Sequence, residues 1–95
     1  MDDFNPKLEQ RGFRVRGHVH GVWFRWWTRR RASELGLRGT VRNRPDGSVE
    51  VHVNGEPDVL DAFAAELEVG PPLARVEGVD GLPSDEDLPT GFEII

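Results

Sequence analysis

The run Gly17-His18-Val19-His20-Gly21-Val22-Trp23-Phe24-Arg25 sets two glycines and an arginine where an alternating apolar stretch gives way to a helical one. A strand that turns through glycine into a helix leaves backbone N–H groups unpaired, directed outward at the positive end of the helix dipole. Such a turn suits an anion of phosphate size. Arg25 stands at its mouth, where a guanidinium can make two parallel charge-assisted hydrogen bonds that lysine's point charge cannot reproduce. Asn43 shares the parity of Val41 and so points to the buried side just ahead of a turn, where a carboxamide can donate to and accept from a held water. A tight turn with a surface arginine, and an asparagine that merely opens a turn, account for the same residues. Spacing alone leaves both readings open.

His18 and His20 lie two apart, and His52 is a conceivable third metal ligand. Zinc needs three or four converging ligands, and a histidine on the polar face of a strand is the plainer account, so no metal is expected. Trp26 and Trp27 read as anchors on a helix, and Arg29-Arg30-Arg31 as a solvated helix face.

These residues need elements to position them. Phe13, Val15, Gly17 and Val19 alternate with Arg14, Arg16 and His18, which predicts a strand from about Gly12 to Gly21. Phe24, Trp27, Thr28, Ala32 and Leu35 share one face of a predicted helix, and Gly36-Leu37 fits its stop. Arg31 falls on that apolar face, where its stem can lie along the core edge with the head in water. Strands at Arg38–Asn43 and around Val49, Val51 and Val53 flank the turn Asn43-Arg44-Pro45-Asp46-Gly47 and make a hairpin. Pro57 opens a second helix with Leu60, Phe63, Ala64 and Leu67 inward. Val76 and Val79 mark a strand whose odd spacing predicts a bulge, and Phe92–Ile95 a short last strand after an acidic loop. The order βαββαβ plus a terminal strand gives an α+β, ferredoxin-like two-layer α/β sandwich: an antiparallel sheet with two helices on one face.

Ninety-five residues make one domain, expected over residues 11–95 behind a flexible tail at residues 1–10. Apolar residues at 37% and charged residues at 31% suit a folded globule. There is no cysteine for a disulfide or thiolate metal site. The acidic opening Met1-Asp2-Asp3 and the lack of a long apolar run argue against a leader or a membrane span, so a cytoplasmic monomer without membrane contact is expected. The net charge of −5 hides an asymmetry: through Arg44 there are 11 basic and 4 acidic residues, and from Pro45 onward 1 and 13. Such a split marks either an anion-binding half or charge complementarity between packed elements.

The run Val15-x-Gly17-x-Val19-His20-Gly21-Val22-Trp23-Phe24-Arg25, followed by Ala32-x-x-Leu35-Gly36-Leu37-x-Gly39-x-Val41-x-Asn43-x-x-Asp46-Gly47-x-Val49-Glu50, resembles the two signature segments of the acylphosphatase family. The resemblance continues through Ala74-Arg75-Val76 and Gly91-Phe92-Glu93-Ile94. It implies a hydrolase that cuts the carboxyl-phosphate bond of a small acyl phosphate. On that reading the amides of His20, Gly21, Val22, Trp23 and Phe24 cradle the phosphoryl group, Arg25 binds it and Asn43 orients the attacking water. No cofactor or metal is implied, and inorganic phosphate or sulfate would compete. A carboxylate leaving group, with a pKa of about 4 to 5, departs without a general acid, so positioned water and stabilised charge suffice. Two residues depart from the family pattern: His20, usually glutamine, and Trp23, usually small and often glycine. His20 could add a proton-dependent charge beside the ligand, strengthening affinity as pH falls through about 6 to 7. Trp23 could narrow the mouth or stack on an acyl group.

The rivals are a non-catalytic ferredoxin-like module that binds RNA or a metabolite, and a part of a larger carbamoyl-transferring enzyme. Arg11-Gly12-Phe13 opens like the aromatic RNA-binding strand motif but lies on the first strand instead of the third. The third strand is expected to expose Ser48, Glu50, His52 and Asn54 with no aromatic platform, and the acidic second half disfavours a polyanion, so no nucleic-acid partner is expected. The length of the chain speaks against the larger enzyme, and the pair Arg25 and Asn43 against a module without activity.

Overall fold

The computed structural model describes residues 7–95. Strands β1 (Glu9–His18), β2 (Arg38–Asn43), β3 (Val49–Gly55), β4 (Arg75–Leu82) and β5 (Phe92–Ile94) form one sheet in the order β4-β1-β3-β2-β5. Every pairing is antiparallel except that of β5 with β2. Helix α1 (Phe24–Glu34) lies over β2 and β5, and α2 (Pro57–Val69) over β4, β1 and β3. This is the expected two-layer ferredoxin-like arrangement, and its core is the layer between helices and sheet.

The period-two pattern sets the register. Phe13 pairs with Val51, Val15 with Val49 and Val41 with Val51, and all of these are buried. Leu60, Phe63 and Leu67 of α2 and Phe24 and Ala32 of α1 close over them. The bulge expected in β4 is present: Arg16 pairs with Gly78 and Gly17 with Val76, so Glu77 is the extra residue. Helix α1 ends as predicted, with Gly36 at φ +74°, its N–H bonded to Ser33 O and that of Leu37 to Ala32 O. No described helix is long and apolar enough to cross a membrane.

Several expectations are corrected. Strand β1 begins at Glu9, not Gly12, because Glu9 and Gln10 pair with Gly55 and Asn54 through their backbones, which an apolar period cannot register. Residues 9 and 10 therefore belong to the sheet; residues 1–6 of the proposed tail lie outside the described residues. The same strand stops at His18, short of Gly21. Arg31 is no solvated head: it grips Glu66 of α2 with Nε and Nη2 at 2.5 and 2.9 Å, and also holds Glu34. Ser48, Glu50 and His52 are buried, not exposed: Ser48 is enclosed by the turn, where it meets Asp46 and His20, and His52 is covered by Ser84 and Glu86 of the segment 83–91. There Ser84 Oγ lies 2.6 Å from His52 Nδ1 and accepts from Gln10, whose Nε2 also donates to Glu86 O. An exposed apolar surface is formed by Trp23, Trp26 and Leu73.

The β2–β3 turn fixes the end of the strand that carries Asn43. Arg44 N–H donates to Ser48 O at 2.8 Å, and Asp46 Oδ1 accepts from the Ser48 hydroxyl and amide at 2.6 and 2.9 Å. Arg14 of β1 donates to the other oxygen of Asp46 at 2.8 Å. The Ser48 hydroxyl first, then its amide and Arg14, hold the Asp46 carboxyl well below the usual carboxylate range. A depressed folded-state pKa stabilises above the unfolded value of about 3.9 and is lost as pH falls through the folded one. Asp46→Asn is therefore expected to lower the melting temperature at pH 7, with the gap to the parent protein closing below about pH 4 in thermal unfolding followed by circular dichroism. Phe63→Ala, by emptying a fully buried site of α2, is expected to cost about 3–5 kcal/mol in urea unfolding.

Candidate functional site

Beyond His18 the chain makes a short loop into α1, anchored by buried Val19 and Val22. Gly21 sits at φ +70° with open space around it, and Trp23, the residue before α1, at φ +64° and ψ +21°. A left-handed tryptophan is disfavoured by about 1–2 kcal/mol. Glycine would adopt this backbone freely, which gives a physical reason for the small residue usual at this position in the family that the sequence resembles. Phe24, buried and tilted against Trp27 with ring centroids 5.5 Å apart, pins the helix start.

The consequence is a helix end without a cap. The N-cap residue is a tryptophan, whose side chain makes no capping bond, and no acidic residue lies in the first turn. The first bond of the helical ladder is Trp27 N–H to Trp23 O at 2.9 Å, so the amides of Phe24, Arg25 and Trp26 precede it. They carry the positive end of the helix dipole.

A cleft of about 460 Å³ lies at this end. It brings together Gly21, Trp23, Phe24, Arg25 and Asn43, with Val19, Trp26 and Ile94 completing the wall and no carboxylate among them. The amide oxygen of Asn43 is buried and has no hydrogen-bond partner. One other buried side-chain oxygen among the described residues shares that condition, Thr28 Oγ1 on the core face of α1. Arg25 makes no ion pair with a described carboxylate, unlike Arg11, Arg14, Arg16, Arg30, Arg31, Arg42 and Arg44.

Two of the residues expected at the site stand apart in their side chains. His20 Nε2 donates to Ser48 O at 2.9 Å, so the ring ties the loop to the β2–β3 turn and is absent from the cleft wall. The expected pH-dependent charge beside the ligand loses its geometric basis. Val22 turns its side chain into a neighbouring groove. Ile94 and Trp26 were not expected at the site. Ile94 arrives because β5 runs parallel to β2, opposite Val41, and a three-residue strand gives no sequence signal of which edge it will join.

His18 and His20 do not converge with His52. Instead Glu50, His52 and Glu86 gather on the helix-free face, their ligand atoms all within 4.8 Å of one another. His52 Nε2 lies 2.5 Å from Glu50 and 3.2 Å from Glu86, while Arg44 Nη1 donates to Glu50 at 2.6 Å. Burial pushes the Glu50 carboxyl up, but the bond from His52 and the charges of Arg42 and Arg44 outweigh it, so the group is held below its ordinary value.

The acylphosphatase family model matches residues 11–94. An acylphosphatase of Thiobacillus denitrificans is 52% identical over 79 residues, covering 83% of this chain and 88% of that protein. One from Archaeoglobus fulgidus is 45% identical over 80 residues, covering 84% and 90%. Among solved structures, an acylphosphatase from Coxiella burnetii superposes with a TM-score of 0.86 at 33% identity, covering 93% of each chain. With both signature segments inside the matched span and the uncapped helix end at the close of the first, the chain belongs to the acylphosphatase family of enzymes.

Proposed function

We propose that the chain hydrolyses the carboxyl-phosphate bond of acyl phosphates by direct attack of water, with Arg25 and Asn43 as the catalytic residues. The observation that carries this reading is the meeting in one cleft of an arginine without an ion-pair partner and a buried carboxamide oxygen with nothing to accept from. A buried acceptor left unpaired costs about 1–3 kcal/mol, and a water bound there would restore the bond. A dianionic phosphoryl group suits the other half of the cleft, where the guanidinium and the amides at the start of α1 offer donors and no carboxylate opposes it.

The sequence of events is then simple. The phosphoryl oxygens settle on Arg25 and the loop amides, with His20, Gly21, Val22, Trp23 and Phe24 contributing through their backbone. Asn43 Oδ1 accepts a hydrogen bond from water and turns its lone pair toward phosphorus. As the new P–O bond forms, the bond to the acyl oxygen breaks, and the carboxylate leaves carrying the electron pair. The attacking water's proton passes to a phosphate oxygen or to solvent. Charge spreads over the equatorial oxygens in the transition state, and the fixed donors meet it without reorganisation. Inorganic phosphate and sulfate compete for the same donors.

With benzoyl phosphate as substrate, Arg25→Ala is expected to lower kcat/KM by at least about a thousandfold while leaving the far-ultraviolet circular dichroism unchanged. Asn43→Ala is expected to lower kcat by about a hundredfold with KM changed less than about threefold, since it misplaces water more than substrate. A variant at either position that retains the parent rate would overturn the assignment. Added chelator is expected to leave the parent rate unchanged, because a carboxylate leaves unaided and the charge is met by the guanidinium and amides.

A further inference from the structure

Next to the cleft lies a second concavity of about 610 Å³, formed by Val22, Trp23, Trp26, Trp27 and the segment Pro71-Pro72-Leu73. All seven of its lining residues are apolar. Its volume falls within the range of small-ligand sites. Trp23 and Trp26 line both concavities, so the two share a wall. Two further observations mark that wall as more than incidental surface. Trp23 stands 74% exposed at a strained left-handed position, so its ring gains little from burial while its backbone is disfavoured. Trp26 is fixed from the other side by Arg30, whose guanidinium carbon lies 5.5 Å from the ring centroid.

We infer that this groove is the acyl subsite of the enzyme, selecting acyl phosphates whose acyl group is aromatic or an extended hydrocarbon over those with a one- or two-carbon acyl group. The inference rests on the proposed reading of the cleft. With the phosphoryl group on Arg25, the acyl substituent must leave the cleft across its rim, and on the side of Trp23 and Trp26 it meets an apolar surface of matching chemistry. Stacking on an indole face and burial against Leu73 and Pro72 act on that substituent and leave the phosphoryl contacts untouched.

The test compares acetyl, benzoyl and octanoyl phosphate as substrates of the parent protein, Leu73→Ser and Trp23→Gly. Leu73 is exposed and lines the groove but not the cleft. The parent is expected to favour benzoyl and octanoyl over acetyl phosphate by about tenfold or more in kcat/KM, mainly through KM. Leu73→Ser is expected to lower kcat/KM for octanoyl phosphate by about three- to fivefold and to leave acetyl phosphate unchanged. Trp23→Gly is expected to shrink the benzoyl-to-acetyl ratio about fivefold or more while raising the melting temperature, because glycine relieves the backbone. Equal kcat/KM for all three substrates in the parent, or ratios that neither variant shifts, would overturn the subsite. Failure to hydrolyse any of the three would overturn the underlying reading of the cleft instead.

Discussion

The start of α1 is the constraint around which the rest is arranged. A helix must leave its first amides unpaired, and most helices satisfy one of them with a serine, threonine or aspartate at the N-cap. Here the chain enters through Gly21 and a left-handed Trp23, and neither offers an oxygen. The donors therefore stay open to a ligand, and every nearby element keeps them so. Val19 and Phe24 bury to fix the loop on both sides, and the His20 ring fastens it to the turn below Asn43. Pairing of β2 with β3 brings Asn43 to the same end. A filled cap would stabilise the helix and occupy one of those donors.

The lopsided charge of the two halves follows the same logic. Arginines from the first half pair across the fold with carboxylates of the second: Arg11 with Asp61, Arg14 with Asp46, Arg16 with Asp80, Arg31 with Glu66 and Arg44 with Glu50. Most of these pairs are partly exposed and each contributes little on its own. Their collective effect is to consume carboxylates at positions outside the cleft wall. Arg25 remains without such a partner among the described residues, so its charge is available to an incoming anion. Charge complementarity between packed elements accounts for most of the basic residues, while Arg25, unlike Arg29, Arg38 and Arg75, combines the lack of such a pair with a place in the cleft wall.

What was legible in the sequence divides along physical lines. Strict alternation gave β1 and β3, a four-residue apolar period gave α2, and Gly36 gave the end of α1, because each is a local signal about which side of an element is buried. Arg25 and Asn43 fell into one cleft because parity and turn position could be counted along the chain. Properties that depend on packing between distant segments were not legible. The burial of His52 depends on where the segment 83–91 travels, and the hold of Arg31 on Glu66 depends on how two helices meet. The strain at Trp23 was hidden for a different reason. A tryptophan gives no sign of positive φ, and only the family's preference for a small residue there hinted at it.

Trp23 joins the two concavities in one residue. Its backbone belongs to the loop that leaves the helix amides uncapped, while its ring forms the wall shared by the polar cleft and the apolar groove. Geometry then orders the chemistry. A phosphoryl group held at the amides and an apolar group laid on the indoles would place the bond between them at the wall the two concavities share. Replacing the tryptophan by glycine would relax the backbone and keep the amides, but it would remove the surface that distinguishes one acyl group from another. The strain at this position is thus tied to the side chain and not to the turn. Fold stability alone gives no reason to keep an exposed, strained indole at the mouth of a cleft; recognition of the departing acyl group does.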